Sequence, residues 1–191
     1  MYHKINCMTK PWELLSSEIV YEKKWLKVKE EACRLPDGRI LSPYLVVDVP
    51  GFCNVFIVTE KDEVVLVKQY RHAGGVVSIE MPGGMVDPGE DPAETVLREM
   101  REETGYSSDQ VELLYTVHPN PPLERNRAWF YLARNAKPDQ VIAPDPFEDI
   151  ELLLVSKEEF MRMLLSHTFT HGIQTGGMYA AAIKLGWLVP E

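Results

Sequence analysis

Three glutamates crowd one short stretch of the chain: Glu99, Glu102 and Glu103, with Glu90 upstream and Arg98 directly before the first. A helix here would set Glu99 and Glu103 four apart and side by side, with Glu102 on the same flank three residues after Glu99. Arg98, one turn before Glu102, can hold it. Glu102 and Glu103 would then occupy the last helical turn, where the macrodipole is negative and cations are preferred. Like charges at this spacing also repel one another. A divalent cation removes both objections. One or two helical carboxylates, with waters and phosphate oxygens completing the shell, suit Mg²⁺ or Mn²⁺. Taken alone, a glutamate-rich helical face is more often plain solvated surface.

The elements that must position these acids are legible. Asp91 at the N-cap, Pro92 at the first helical position and Glu94 at the third make a strong helix start. Ala93, Val96, Leu97, Met100 and Thr104 fall on one stripe, the expected buried face, and Gly105 ends the helix. Upstream, Val55-Phe56-Ile57-Val58 and Val64-Val65-Leu66-Val67 flank a Lys61-Asp62 turn and predict a hairpin buried on at least one face. A Gly/Pro-rich loop at Pro82-Gly83-Gly84 leads into the helix. Strands are expected near Val111–Val117, Ala128–Ala133 and Ile150–Val155, then helices from Ser156 to about Leu165 and near Gly177 to Leu185. The first fifty residues read as short strands, with a turn at Pro36-Asp37-Gly38 and a boundary at Pro50-Gly51. There is no βαβ rhythm, no GxGxxG after a strand and no P-loop sequence.

Spacing removes the bland reading. Gly84 is followed after five residues by Glu90, and after seven more by Arg98-Glu99-Met100-Arg101-Glu102-Glu103-Thr104-Gly105-Tyr106. This resembles the Nudix box, GX5EX7REUXEEXGU with U a bulky apolar residue, at every fixed position. Tyr106, in a slot where aliphatics are commoner, is the one mild departure. The resemblance implies an α/β fold, the Nudix α/β/α sandwich around a mixed sheet, spanning residues 51–191. A small N-terminal antiparallel β region, residues 1–50, would precede it. The resemblance also implies roles. Glu99 and Glu103 become metal ligands, as does the backbone carbonyl of Gly83. Glu102 becomes a ligand or a water-polarising group, Arg98 orients the carboxylates, and Glu90 supports them.

The likeness extends to the ADP-ribose pyrophosphatase-like branch of that family. Gln69-Tyr70-Arg71 and Ile79-Glu80-Met81-Pro82-Gly83-Gly84 look like its segments before the box. Gly83 replaces the usual Ala, which should not matter for a carbonyl ligand. Pro119, Pro121 and Pro122 fall about where the branch keeps a proline after the box. Arg71 then looks like a phosphate contact, since a guanidinium grips phosphate bidentately. Glu148, in the acidic loop Asp145-Pro146-Phe147-Glu148-Asp149, matches the branch's distal catalytic glutamate, as a third-metal ligand or general base. Trp25 sits where an aromatic from a subunit-exchanged N-terminal region stacks on the base. The blander readings are a surface arginine at a strand end, a solvated acidic loop and a tryptophan packing its own hairpin. Glu124, Arg125 and Arg127, in the loop from His118 to Arg127, could read a ribose or a base edge.

Composition sets the outer limits. The 191 residues carry a formal net charge of −9, which speaks against nucleic acid and anionic membrane as partners. No apolar run is long enough to span a bilayer, and Met1 to Lys10 has no signal-like apolar core. Cys7, Cys33 and Cys53, odd in number and widely spaced, read as reduced cysteines of a cytoplasmic protein. His167 and His171, four apart with β-prone residues between, do not read as a metal pair. The expectation is therefore a Mg²⁺-dependent homodimeric pyrophosphohydrolase. It would cut ADP-ribose or a related nucleoside diphosphate sugar into a nucleoside monophosphate and a sugar phosphate. A hydrolase of (d)NTPs or dinucleoside polyphosphates, or a non-catalytic ligand sensor, are the alternatives.

Overall fold

The computed structural model describes residues 9–143 and 148–189; Cys7 and the Asp145-Pro146-Phe147 part of the acidic loop lie outside them. In chain order the strands are β1 (Glu13–Lys23), β2 (Leu26–Arg34), β3 (Ile40–Asp48), β4 (Phe52–Thr59), β5 (Glu63–Arg71) and β6 (Val76–Glu80). They continue with β7 (Tyr106–Ser107), β8 (Gln110–Val117), β9 (Glu124–Arg125), β10 (Ala128–Pro138) and β11 (Ile150–Ser156). The helices are α1 (Pro92–Thr104), α2 (Lys157–Leu165) and α3 (Gly172–Lys184). They fall into two units, one holding the described residues up to Pro50 together with Asn120–Asn126, the other the rest.

In the first unit, β1, β2 and β3 form an antiparallel meander, and β9 pairs with β3 in parallel. These strands run eleven, nine and nine residues, longer than the short strands expected. Trp25 lies in the turn after β1, where Lys24 takes a positive φ. Glu31 is the buried acid of this sheet and accepts hydrogen bonds from Ser17 Oγ and Arg125 at 3.0 Å. Arg125 fastens β9 there through NH2, while about half of its side chain stays exposed. Every residue of β1 is exposed, among them Leu14, Ile19, Val20 and Tyr21.

The second unit is built on a mixed sheet, ordered β11-β5-β4-β10-β7, with β6 also on β5 and β8 on β10. β4 and β10 are parallel and the other pairs antiparallel. β4 is central and buried on both faces, so its sequence is a nearly continuous apolar run rather than an alternation. On one face Cys53, Val55, Ile57 and Val65 pack with Val96 and Met100 of α1. On the other, Phe56, Leu66, Phe130 and Leu132 pack with Phe160 and Leu164 of α2 and with Met178 and Ala182 of α3. Each such buried side chain contributes on the order of 1.5–3 kcal/mol. The result is the α/β/α sandwich.

Two helix expectations need adjusting. In α1, Val96, Met100 and Thr104 are buried as predicted, but Ala93 and Leu97 are only partly covered, and Thr95 and Glu103 join the buried set. The buried stripe is rotated toward an acid. In addition, α3 begins at Gly172, more than a turn before the predicted Gly177. Gly172, Gly176 and Gly177 lower helix propensity, yet packing overrides it. A Cβ on Gly177 would lie 2.5 Å from the Phe130 ring and 2.8 Å from Met81 Cε, so glycine lets the helix press onto the sheet. No helix among the described residues is long and apolar enough to cross a membrane.

Candidate active site

The loop that enters α1 is clamped to β4. Val55 N donates to Pro82 O and Cys53 N to Gly84 O, each at 2.9 Å. This close approach is why both glycines are needed. Gly83 has φ +153°, and a Cβ there would sit 2.0 Å from Cys53 O and 2.6 Å from Asn54 Nδ2. The alanine of the resembling segments has no room here, so the two residues are not interchangeable in this chain. A Cβ on Gly84 would lie 2.3 Å from Glu99 Oε1. Glycine thus allows the Glu99 carboxylate to rest on the loop backbone.

The helix start and stop are as expected. Asp91 Oδ1 accepts from Ala93 N at 2.9 Å, and Gly105, with φ 70°, donates its N–H to Arg101 O. Between these caps Arg98 gathers the acids. It meets Glu99 at 2.9 Å, Glu102 at 3.1 Å and Glu90 at 3.3 Å. Glu103 turns inward instead: it is 2 % exposed and accepts a hydrogen bond from Gly83 N at 2.8 Å.

Burial pushes the Glu103 carboxyl up to about 8, against the pull of the Gly83 hydrogen bond, and the charges of Glu99 and Glu148 add to the rise. Burial raises Glu99 as well, with Arg98 opposing. Two neighbouring carboxyls that resist ionisation are what a cation would relieve. The donor set is all oxygen, hence hard, and fits a divalent ion of the Mg²⁺ type. Among the described residues no three acidic, histidine or cysteine side chains enclose a metal position unaided. Backbone, water and phosphate oxygens would complete the shell of such an ion.

Beside these acids lies a cavity of about 430 Å³, lined by Arg71, Gly83, Gly84, Glu148, His171 and Gln174 among others. Arg71 is held from behind: its Nε and NH2 groups donate to Glu80 at 2.9 and 2.7 Å. Glu80 is 0 % exposed. Burial alone would raise its pKa, but Arg71, helped by His171 and Ser78, holds it below the ordinary carboxylate value. Gln174 completes the bracket, giving Nε2 to Glu80 at 3.0 Å and accepting from Met81 N at 2.7 Å. The remaining guanidinium N–H groups can address the cavity. Glu148 is close enough for its charge to act on Glu99, Glu103 and Arg71.

Of the residues singled out by sequence, Arg71, Gly83, Glu99, Glu103 and Glu148 thus come together, with Arg98 linking Glu90 and Glu102 to Glu99. Trp25, 53 % exposed, and Glu124, bonded to Asn120 at 3.3 Å, belong to the first unit. Arg127 is exposed, and its carbonyl accepts from Phe52 N at 3.1 Å. Sequence reasoning assigned no role to Asn54, Glu80, His171 or Gln174. Glu80 was visible within the segment before the box, and Asn54 as the lone strongly polar residue of β4. Gln174 was hidden because the helix was started too late.

Comparison with known proteins bears on both parts of the chain. The NUDIX domain family matches residues 49–172, and the nucleoside diphosphate sugar hydrolase N-terminal domain family matches residues 12–47. The chain is 28% identical to the methanol dehydrogenase activator of Bacillus methanolicus, over 78% of this chain and 81% of that one. It is 27% identical to the ADP-ribose pyrophosphatase of Bacillus subtilis (strain 168), over 80% and 82%. A crystal structure of an ADP compounds hydrolase superposes with a TM-score of 0.82 at 16% identity, covering 94% of this chain and 96% of that one; this is a likeness of fold. With the family match running through the loop before the box, the box itself and α2 beyond it, the chain belongs to the Nudix hydrolase family.

Proposed function

We propose that the chain hydrolyses the diphosphate bridge of ADP-ribose or a closely related nucleoside diphosphate sugar, giving a nucleoside monophosphate and a sugar phosphate. The observation that carries this is one cavity holding Arg71, braced by a buried Glu80, beside Glu99 and Glu103, two carboxyls raised by burial. The match of residues 12–47 to the sugar-hydrolase N-terminal domain and the pyrophosphatase named among the relatives support the substrate class.

Glu99, Glu103, Glu102 and the Gly83 carbonyl would hold divalent metal, with Mg²⁺ the preferred ion and Mn²⁺ a substitute. When bound, the metal supplies charge neutralisation on the phosphates and a lower pKa for a coordinated water. Arg71 grips a phosphate through the N–H groups that Glu80 leaves open. Glu148 accepts the proton of the attacking water as the new P–O bond forms and the bridging P–O bond breaks. Arg98 holds the box carboxylates together and oriented. Trp25 stacks on the base, and Glu124 and Arg127 contact the nucleoside or sugar. The working form is a homodimer joined through the N-terminal β region, whose β1 exposes apolar side chains, and its compartment is the cytoplasm.

A release assay over ADP-ribose, other nucleotide sugars, dinucleoside polyphosphates and dNTPs, with Mg²⁺ and with chelator, tests the reading. ADP-ribose or another nucleotide sugar should have the highest kcat/KM, and chelator should abolish turnover. A dNTP preferred by about tenfold or more would overturn the substrate assignment.

A further inference from the structure

Most polar groups along the cavity wall are already engaged. Gln174 Oε1 accepts from Met81 N–H and its Nε2 donates to Glu80, and both Glu80 oxygens accept from Arg71. Two atoms depart from this pattern. Asn54 Oδ1 and His171 Nδ1 are buried and have no hydrogen-bond partner among the described residues, and both residues line the cavity. Asn54 is 4 % exposed, and its Nδ2 donates to Met81 O at 3.5 Å, which leaves Oδ1 as the unused end. Side chains alternate along β4: Cys53, Val55 and Ile57 pack on the α1 face, Phe56 on the α2 and α3 face. Alternation puts Asn54 with Phe56, on the side from which α3 brings His171 and Gln174.

A buried acceptor without a donor costs free energy, and a ligand that donates a hydrogen bond there recovers it. Phosphate oxygens are acceptors and suit Arg71; they do nothing for Asn54 Oδ1. A hydroxyl group does. We infer that Asn54, with His171 beside it, is a specificity wall accepting hydrogen bonds from hydroxyl groups on the moiety beyond the diphosphate. The inference rests on the nucleotide-sugar reading above and deepens it. A buried polar atom on β4 rejects the analogue that leaves it unpaired.

The test uses two substrates, ADP-ribose and an adenosine diphosphate esterified with a tetrahydrofurfuryl group, which keeps the ring and lacks the hydroxyls. The readout is the ratio of their kcat/KM values. Wild type should favour ADP-ribose by about tenfold or more, and Asn54→Val should cut that preference by about tenfold. Valine suits a strand, and a thermal melt checks that the variant is folded. His171→Ala, at the half-buried start of α3, should lower the same ratio by about threefold or more. Water on a bound cation could also donate to Asn54, but it serves both substrates alike. An unchanged ratio in folded variants, or a wild type without preference, overturns the inference alone. A wild type that cuts no nucleotide sugar overturns the proposed function with it.

Discussion

Glu103 accepts a 2.8 Å hydrogen bond from the backbone N–H of Gly83, so the last turn of α1 and the loop that enters it are fastened by a buried carboxylate. Burial, helped by the charges of Glu99 and Glu148, pushes that carboxylate toward its neutral form, and the Gly83 hydrogen bond pulls the other way. The pairing is therefore structural and, once a cation is present, chemical.

Glu103→Gln separates the two roles. The amide oxygen can keep the Gly83 hydrogen bond while the charge is lost. Turnover at saturating Mg²⁺ should fall by roughly a hundredfold or more, with the melting temperature of metal-free protein unchanged or slightly raised because a neutral amide, unlike the buried carboxyl, needs no proton taken up on folding. Near-normal turnover would sink the ligand assignment.

The same residue predicts a pH dependence in metal-free protein. Folded, Glu103 ionises near 8, against an ordinary value of 4.5. Between these values the folded chain holds a proton that the unfolded chain has released, so stability falls as pH rises. This contribution is intact below about 4.5 and lost by about 8, with a slope of at most ~1.4 kcal/mol per pH unit. Urea midpoints in chelator at about pH 5.5 and 7.5 should show the decline, and Glu103→Gln should flatten it. Equal slopes in both proteins count against a buried, proton-holding Glu103.

Gly83→Ala tests the close approach to β4. The added Cβ meets Cys53 O and Asn54, so the loop must shift, at a cost of about 1–3 kcal/mol. A fall in melting temperature of several degrees should accompany reduced Mg²⁺ affinity. A variant as stable and as active as wild type would mean that the loop stands farther from Cys53 than described.

Arg71 and Glu80 should behave as one unit. Arg71→Ala and Glu80→Gln should each raise KM, and the double variant should be little worse than either alone. Glu80→Gln should also cost stability, toward the lower end of the ~3–5 kcal/mol typical of broken buried pairs because Arg71 can reach water. Additive kinetic effects in the cycle would separate the two residues.

Trp25→Ala addresses the first unit with less damage than deleting it, since removing residues up to Val49 would strip β9 of its partner β3. KM should rise about tenfold with kcat little changed, as expected for loss of a stacking contact. A kinetically silent variant, together with a monomer by sedimentation, would remove the base-stacking and dimer assignments.

How much of this was legible depended on distance along the chain. The box could be read because Gly84, Glu90 and Arg98 to Glu103 sit in one loop and one helix, where spacing dictates neighbours. The caps at Asp91 and Gly105 were readable for the same reason. The inward turn of Glu103 was not, because only the β4 clamp on Pro82 and Gly84 brings Gly83 over the helix end. The bracket behind Arg71 was hidden too: Gln174 reaches Glu80 from α3, whose glycines argue against a helix until Phe130 and Met81 are seen beneath Gly177. The Arg125–Glu31 pair was hidden for a related reason, since Glu31 lies on a strand far back in the sequence.

The parallel pairing of β4 with β10 also bears on the order of assembly. Phe52 aligns with Ala128, so that ladder must wait until the whole intervening segment has been gathered in, whereas β4 with β5 and β5 with β6 close locally. Long loop closures are the slow steps of folding. The strand that clamps the loop before the box thus gains its second neighbour late. A nascent chain emerging from the ribosome would have the box helix sequence in hand before β10 has been synthesised, and the loop would acquire its final grip only once that strand arrives.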